Sequence, residues 1–341
     1  MKGAGSTELR KVGGPQVDSH DFGSRDRGRV RRGWLARCAV ATMVTAYGLI
    51  IFGSQVRVTD SGMGCPDWPL CDGSVGPIHQ FHAIMEQSHR YIAAVVTILV
   101  FSTAVLAVRS RTRPAARAPA LFTACVVVVQ VGLGALTVLA GNNAPTVAAH
   151  LLSGLTLLGG ACVTAVAAMV VKVPAAGRRL GRIGWVAAGS ACVLFVSGSL
   201  VVNADAEKDC ASFPLCPGGQ PSGLVALHLV HRSIAVLVGA ALLMFAVHAW
   251  NRWSSVPRAR VLAVALGVVV VATAGIGIAT ALLKAPAGLQ DLHLAGAAAV
   301  LVVSVSLAAV GWLTAADAPA TSGGSGSPAE LAGPALNLTG A

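Results

Sequence analysis

The sequence predicts an all-α integral membrane protein: eight transmembrane helices in two tandem four-helix bundles, related by a pseudo-two-fold axis along the membrane normal. Three observations predict it. Hydrophobic residues make up 55% of the 341 and charged residues 11%, with a mean hydropathy of +0.71, a balance that no water-soluble surface of this size tolerates. The apolar residues gather into eight runs, each long enough to cross about 30 Å of hydrocarbon as a helix of about 20 residues. Finally, the chain repeats itself at an offset of 142 to 145 residues. Four helices per repeat is an even number, so both halves enter the membrane in the same sense.

In chain order the runs are Trp34 to Val56, Phe81 to Val108, Pro119 to Ala140, Thr146 to Val171, Ile183 to Asn203, Leu224 to Trp250, Ala259 to Leu283 and Leu289 to Leu313. The first bundle is expected over residues 34–172 and the second over 183–313. Residues 1–33 and 314–341 are rich in Gly, Ser, Pro and Ala and read as disordered tails. The first run is too long for a cleavable leader and has no small-residue cleavage site after it, so it is expected to stay in the membrane.

Of the 25 Lys and Arg, twenty fall before or at the start of helix 1 and after helices 2, 4 and 6. By the positive-inside rule both termini are cytoplasmic and the cysteine-bearing loops lie on the outer side of a cell membrane. The net charge of +11 therefore reports topology in a lipid bilayer and not nucleic-acid binding, since no aromatic reading surface accompanies it.

The repeats carry the chemistry. His89, His150, His231 and His293 stand in the first turns of helices 2, 4, 6 and 8. Rare polar groups at one depth of alternate helices point to ligands for something bound between them. Two facing neutral imidazoles in an apolar bundle bind haem iron from both axial faces, whereas a structural zinc site asks for four convergent ligands. The pairs expected are His89 with His150, and His231 with His293. Gly132-x-Gly134 on helix 3 recurs as Gly275-x-Gly277 on helix 7. These glycines can serve close helix approach or admit the edge of a macrocycle.

The repeats differ where Glu86 stands one turn before His89, the second repeat having His228 there. Glu86 is either an interfacial anchor or a proton acceptor and charge stabiliser beside the first pocket, which would make that pocket catalytic and the second accessory. Arg90 and Arg232, each directly after a ligand candidate, would pair with propionates or snorkel to the interface. His79, His82, His248 and His20 lie at or beyond the water boundary and are not expected to ligate. Cys38, Cys125, Cys162 and Cys192 lie in apolar runs as small core residues. The pairs Cys65-Cys71 and Cys210-Cys216 sit in the outer loops, where disulfides persist. They read as structural staples, with a redox-active pair or a transient attachment point for substrate as the alternatives.

The stretch Thr59-x-Ser61-Gly62-Met63-Gly64-Cys65-Pro66-Asp67-Trp68-Pro69-Leu70-Cys71, followed by Glu86-x-x-His89-Arg90 and later His228-x-x-His231-Arg232, resembles the bacterial haem A synthase family and its mitochondrial relatives. The resemblance runs over residues 34 to 313. It implies oxidation of the methyl group at porphyrin position eight of haem O to a formyl group, giving haem A for A-type terminal oxidases. It further implies that His89 and His150 bracket the substrate haem, that His231 and His293 hold a haem b cofactor, and that Glu86 is needed for turnover. Haem O synthase (protohaem farnesyltransferase) and cytochrome oxidase assembly factors are the implied partners. A di-haem b-type electron carrier would need the same four histidines but has no use for Glu86 or for unequal repeats, whereas a haem transport or assembly factor would bind haem weakly and exchangeably at both sites.

Overall fold

The computed structural model describes residues 19–75, 79–110, 113–169, 178–204, 206, 212–216, 222–253 and 256–316. Among them are eight α-helices and no β-strand: α1 (Ser19–Val58), α2 (Phe81–Arg109), α3 (Arg117–Leu139), α4 (Ala144–Met169), α5 (Arg178–Asn203), α6 (Gly223–Arg252), α7 (Pro257–Leu282) and α8 (Ala287–Ala316). All eight contain a stretch long and apolar enough to cross a membrane. A helix satisfies its own backbone there, and side chains such as Val128, Val236 and Val261 can stay exposed to lipid. One boundary differs from expectation. Helix α1 begins at Ser19, so residues 19–33, expected in the tail, are helical, in keeping with the high helix propensity of their arginines.

The ends of the helices follow from local chemistry. The Ser222 hydroxyl accepts from the Val225 N–H at 3.2 Å and caps α6. Asn143 accepts from the Thr146 N–H at 3.1 Å at the start of α4, and Pro257 opens α7, where a missing N–H costs no helical bond. At the end bearing the cysteine loops, the chain turns through left-handed residues after α1 (Asp60), α3 (Gly141, Asn142) and α7 (Lys284, Ala285).

Helices α1, α2, α3 and α4 touch in a closed ring, and α5, α6, α7 and α8 in another. Helices α4 and α8 lie against each other where the rings meet and are the most buried of the eight. Small residues are buried on both helices, Gly160, Ala161 and Ala165 on α4 and Ala298, Ala308 and Ala309 on α8, and such residues let neighbouring helices approach closely, as Gly160 does toward Thr123 of α3 and Ala308 toward Gly184 of α5. Polar bonds also join the rings. Tyr47 of α1 donates to the Ala295 carbonyl of α8 at 2.9 Å. The buried Asp291 accepts from Ser54 at 2.5 Å and from Gln55. Inside the first ring, Thr42 and Thr103 hydroxyls meet at 3.0 Å.

Helices α5 and α8 approach closely, and a Cβ on Gly184 would stand 2.8 Å from the Ala308 Cα. Backbone cannot yield as a flexible side chain can. We expect Gly184→Val to cost about 1–3 kcal/mol through overpacking and to lower the melting temperature in detergent; an unchanged melting curve would refute this contact.

Candidate functional site

Four glycines decide where the histidines lie. Gly53 stands in the helix ending at Val58, Gly134 in that ending at Leu139, Gly198 in that ending at Asn203 and Gly277 in that ending at Leu282. Each faces one imidazole of the next helix edge-on. A Cβ on Gly53 would stand 3.1 Å from His89 Cε1, one on Gly134 3.1 Å from His150 Cε1, one on Gly198 3.0 Å from His231 Cε1 and one on Gly277 2.6 Å from His293 Cε1. The glycines of the Gly-x-Gly motifs thus separate in role: Gly132 and Gly275 meet nothing, whereas Gly134 and Gly277 seat histidine rings. The sequence reading missed Gly53 and Gly198, although their offset matches the repeat.

The structure brings the rings together as the sequence pairs them. His89 is within electrostatic reach of His150, and His231 of His293. Because Cε1 rests on glycine, Nδ1 and Nε2 face opposite ways, and the partner of Nδ1 sets which nitrogen is free to ligate. In the second ring both Nδ1 atoms are held. Ser197 donates its only proton to the Leu194 carbonyl at 2.7 Å, so at 2.8 Å it accepts from His231 Nδ1–H. His293 Nδ1–H donates to the Thr273 carbonyl at 3.2 Å. That tautomer leaves both Nε2 atoms unprotonated, with a lone pair able to accept a bond.

The first ring is built differently at the same places. Phe52 replaces Ser197 and stacks on His89 at 6.2 Å between centroids, leaving Nδ1 of His89 without a hydrogen bond. His150 Nδ1 lies beside the Gln130 carbonyl, the counterpart of Thr273, without closing a bond to it. The Gln130 amide instead approaches His150 Nε2 at 3.4 Å. A donor set of facing imidazoles with glycine cradles and orphaned buried nitrogens fits a flat, iron-bearing macrocycle in each ring.

Glu86 is buried and bound on both oxygens, accepting from the Cys65 N–H at 2.8 Å and from Arg90 at 2.6 Å. Arg90 also donates to the carbonyls of Asp67 at 2.9 Å and Leu70 at 2.5 Å. In the second ring His228, also buried, takes the place of Glu86, and Arg232 donates to the Pro214 carbonyl at 3.0 Å. Both arginines therefore tie their loops to the helices, a contact that neither of the two sequence readings of these residues foresaw. Cys65 and Cys71 form a disulfide. Cys216 is disulfide-bonded too, while Cys210, its expected partner, lies outside the described residues. Asp67 bridges the first loop by accepting from Gly73 and Asp72 N–H groups, each at 2.8 Å. Those bonds, the one from Gly73 foremost, and the nearby Arg90 charge hold its carboxyl below the usual carboxylate range. His82 is exposed and meets the Ser61 hydroxyl at 2.9 Å. Of the four cysteines expected in the core, Cys162 is buried but Cys125 is exposed, since its side of α3 faces lipid.

Residues 36–305 match the cytochrome oxidase assembly protein family. A haem A synthase of Shewanella oneidensis is 24% identical over 321 residues, covering 80% of this chain and 94% of its own. One of Shouchella clausii is 29% identical over 226 residues, covering 62% of this chain and 74% of its own. A protohaem IX farnesyltransferase of Haloarcula marismortui is 34% identical over 119 residues, which is 35% of this chain but only 25% of that protein.

The glycine seats separate helix packing from ring seating. Gly277→Ala should push His293 aside and lower bound haem per polypeptide severalfold, whereas Gly275→Ala, which meets open space, should leave it intact. Equal haem content in the two variants, read by pyridine haemochrome, would show that the ring does not need its seat.

Proposed function

The chain belongs to the cytochrome oxidase assembly protein family, and from that premise we propose that it is a haem A synthase. It would oxidise the porphyrin position-eight methyl of haem O to a formyl group. The observation that carries this reading is the unequal preparation of the two rings. Both Nδ1 atoms are hydrogen-bonded in the second and neither closes a hydrogen bond in the first, while the first has a carboxylate, Glu86, one turn before His89 where the second has His228. A permanent cofactor site calls for fixed ligands; a site that must release its product does not.

On this reading His231 and His293 hold haem b, and His89 and His150 bracket haem O. Haem b, when bound, supplies a one-electron relay. The conversion takes one methyl group and one water to one formyl group, releasing four electrons and four protons, in two rounds ending in a gem-diol that dehydrates. The electrons pass to an acceptor outside this chain. If His89 and His150 both held the iron of the substrate haem, oxygen would find no open position there, which favours removal of electrons from the methyl carbon. Glu86 then stabilises the electron-poor carbon or takes the proton of the attacking water. The disulfide loop, held by Glu86 and Arg90 against the first turns of α2, would limit water at this pocket. The propionates would compete with loop carbonyls for Arg90 and Arg232. The basic clusters support a position of the loops on the outer side of the cell membrane, and a protohaem farnesyltransferase would supply the substrate.

Haems extracted from cells with and without the protein, separated into haem B, O and A, test the reading directly. Haem A made equally well without it would end the proposal. Replacing His231 or His293 by Ala should strip haem b from the purified protein, and full retention after both changes would void the cofactor assignment. For Glu86→Gln we expect retained haem b, accumulated haem O and at least a tenfold loss of haem A, the size of a general acid–base contribution of about 10²–10⁴ allowing for residual turnover. Because Gln offers one acceptor where Glu86 uses two, alkylation of the loop cysteines should be measured alongside. Normal haem A in that variant would make Glu86 a loop anchor alone.

A further inference from the structure

The two rings differ at one more polar position, in the middle of α3 and α7. Gln130 and Thr273 are equivalent in the repeat, offset by 143 residues like Gly134 and Gly277. Both lend a backbone carbonyl to the Nδ1 side of a histidine. Their side chains do different things. The amide nitrogen of Gln130 is only a donor, so at 3.4 Å it directs its N–H to the lone pair of His150 Nε2. In the second ring Nε2 is the nitrogen left for iron, and the repeat makes it so in the first. Gly154, on the next turn of α4, leaves room for the amide, since a Cβ there would stand 3.2 Å from Gln130 Nε2. The amide oxygen is buried without a partner. Thr273 is too short to do the same: its hydroxyl is buried with no hydrogen bond and lies against Gly296.

We propose that Gln130 makes the first haem seat exchangeable, by occupying the ligating nitrogen of His150 in the empty pocket and returning to it when haem leaves. This rests on the reading of the first ring as the substrate site. Gln130 is a positioning residue acting through His150. Iron must displace its N–H from Nε2, and the displaced amide is left in the pocket with two donors and an acceptor near the macrocycle, where hydrocarbon offers no other partner. Both effects weaken retention at the first seat. The second seat, with Thr273 in place of Gln130, has no competitor for Nε2 and retains its haem.

The test is haem release and not turnover. Wild-type protein in detergent is loaded with excess ferric haem B, desalted and mixed with excess apomyoglobin, and transfer is followed by absorbance. We expect a fast phase from the first ring, absent in His150→Ala, and a slow phase from the second. In Gln130→Thr and in Gln130→Leu, which keeps the volume, the fast phase should slow about tenfold, the worth of one net hydrogen bond at the upper end of its range. Haem retained after prolonged dialysis should then rise from about one toward about two per chain. The slow phase, unchanged in both variants, reports that the fold is intact. Conversely, Thr273→Gln should quicken the slow phase by a similar factor. A fast phase that persists at its wild-type rate in both Gln130 variants overturns the proposal. A fast phase that survives His150→Ala instead overturns the assignment of the first ring beneath it.

Discussion

An imidazole inside a membrane has few ways to hold a direction, and here the edge of each ring against a glycine of the preceding helix supplies one. The contact is short, 2.6 to 3.1 Å from where a Cβ would be, so a larger residue would push the ring aside. It fixes the spacing of α1 from α2, α3 from α4, α5 from α6 and α7 from α8 at one level. It also turns Cε1 to the helix wall and leaves the two nitrogens to face partner and pocket. Everything specific to each site follows from what then meets Nδ1 and Nε2.

That division lets one architecture carry two unequal sites. Ser197 and the Thr273 carbonyl settle the tautomers of the second ring, whereas Phe52 and Gln130 leave those of the first unheld or engaged at the wrong nitrogen. In hydrocarbon an unsatisfied polar group costs several kcal/mol, so orphaned atoms at His89, His150 and Gln130 mark the place where a partner is expected to arrive. The loop above shares the asymmetry. Glu86 and Arg90 link the disulfide hairpin to the helix of His89, while in the second ring the equivalent helix meets its loop through Arg232 and offers no carboxylate. The seam between the rings is also one-sided, with Asp291 of α8 held by Ser54 and Gln55 of α1. Ser54 adjoins the seat of His89 and Asp291 lies two residues before His293, so the seam keeps the two histidine levels in register.

Hydropathy, the even number of runs and the four histidines were legible in the chain because each depends on residue type and spacing alone. The lipid requires about 20 apolar residues per crossing whatever they pack against, and a duplicated sequence betrays its repeat without reference to structure. The Cys65–Cys71 pair was legible for the same reason, since six residues of separation confine two thiols. Residues 19–33 were misjudged because composition rich in Gly and Arg suits a tail and a helix alike, and the helix that follows extends into them.

The seats and second partners were not legible. Gly53 and Gly198 are two glycines among 39, and nothing in their sequence neighbourhood distinguishes a ring seat from a helix crossing. Gln130 reads as one polar residue in an apolar run until α4 is placed beside α3. Arg90 and Arg232 read as propionate partners or interfacial cations until the loops fold back over the helices. The sequence by itself determined which residues lie in the membrane and which polar groups repeat there, because burial in lipid acts on each residue separately. Only the tertiary structure decided which nitrogen of each histidine is free, because that depends on atoms brought within about 3 Å from a different helix, a distance that no spacing along the chain encodes.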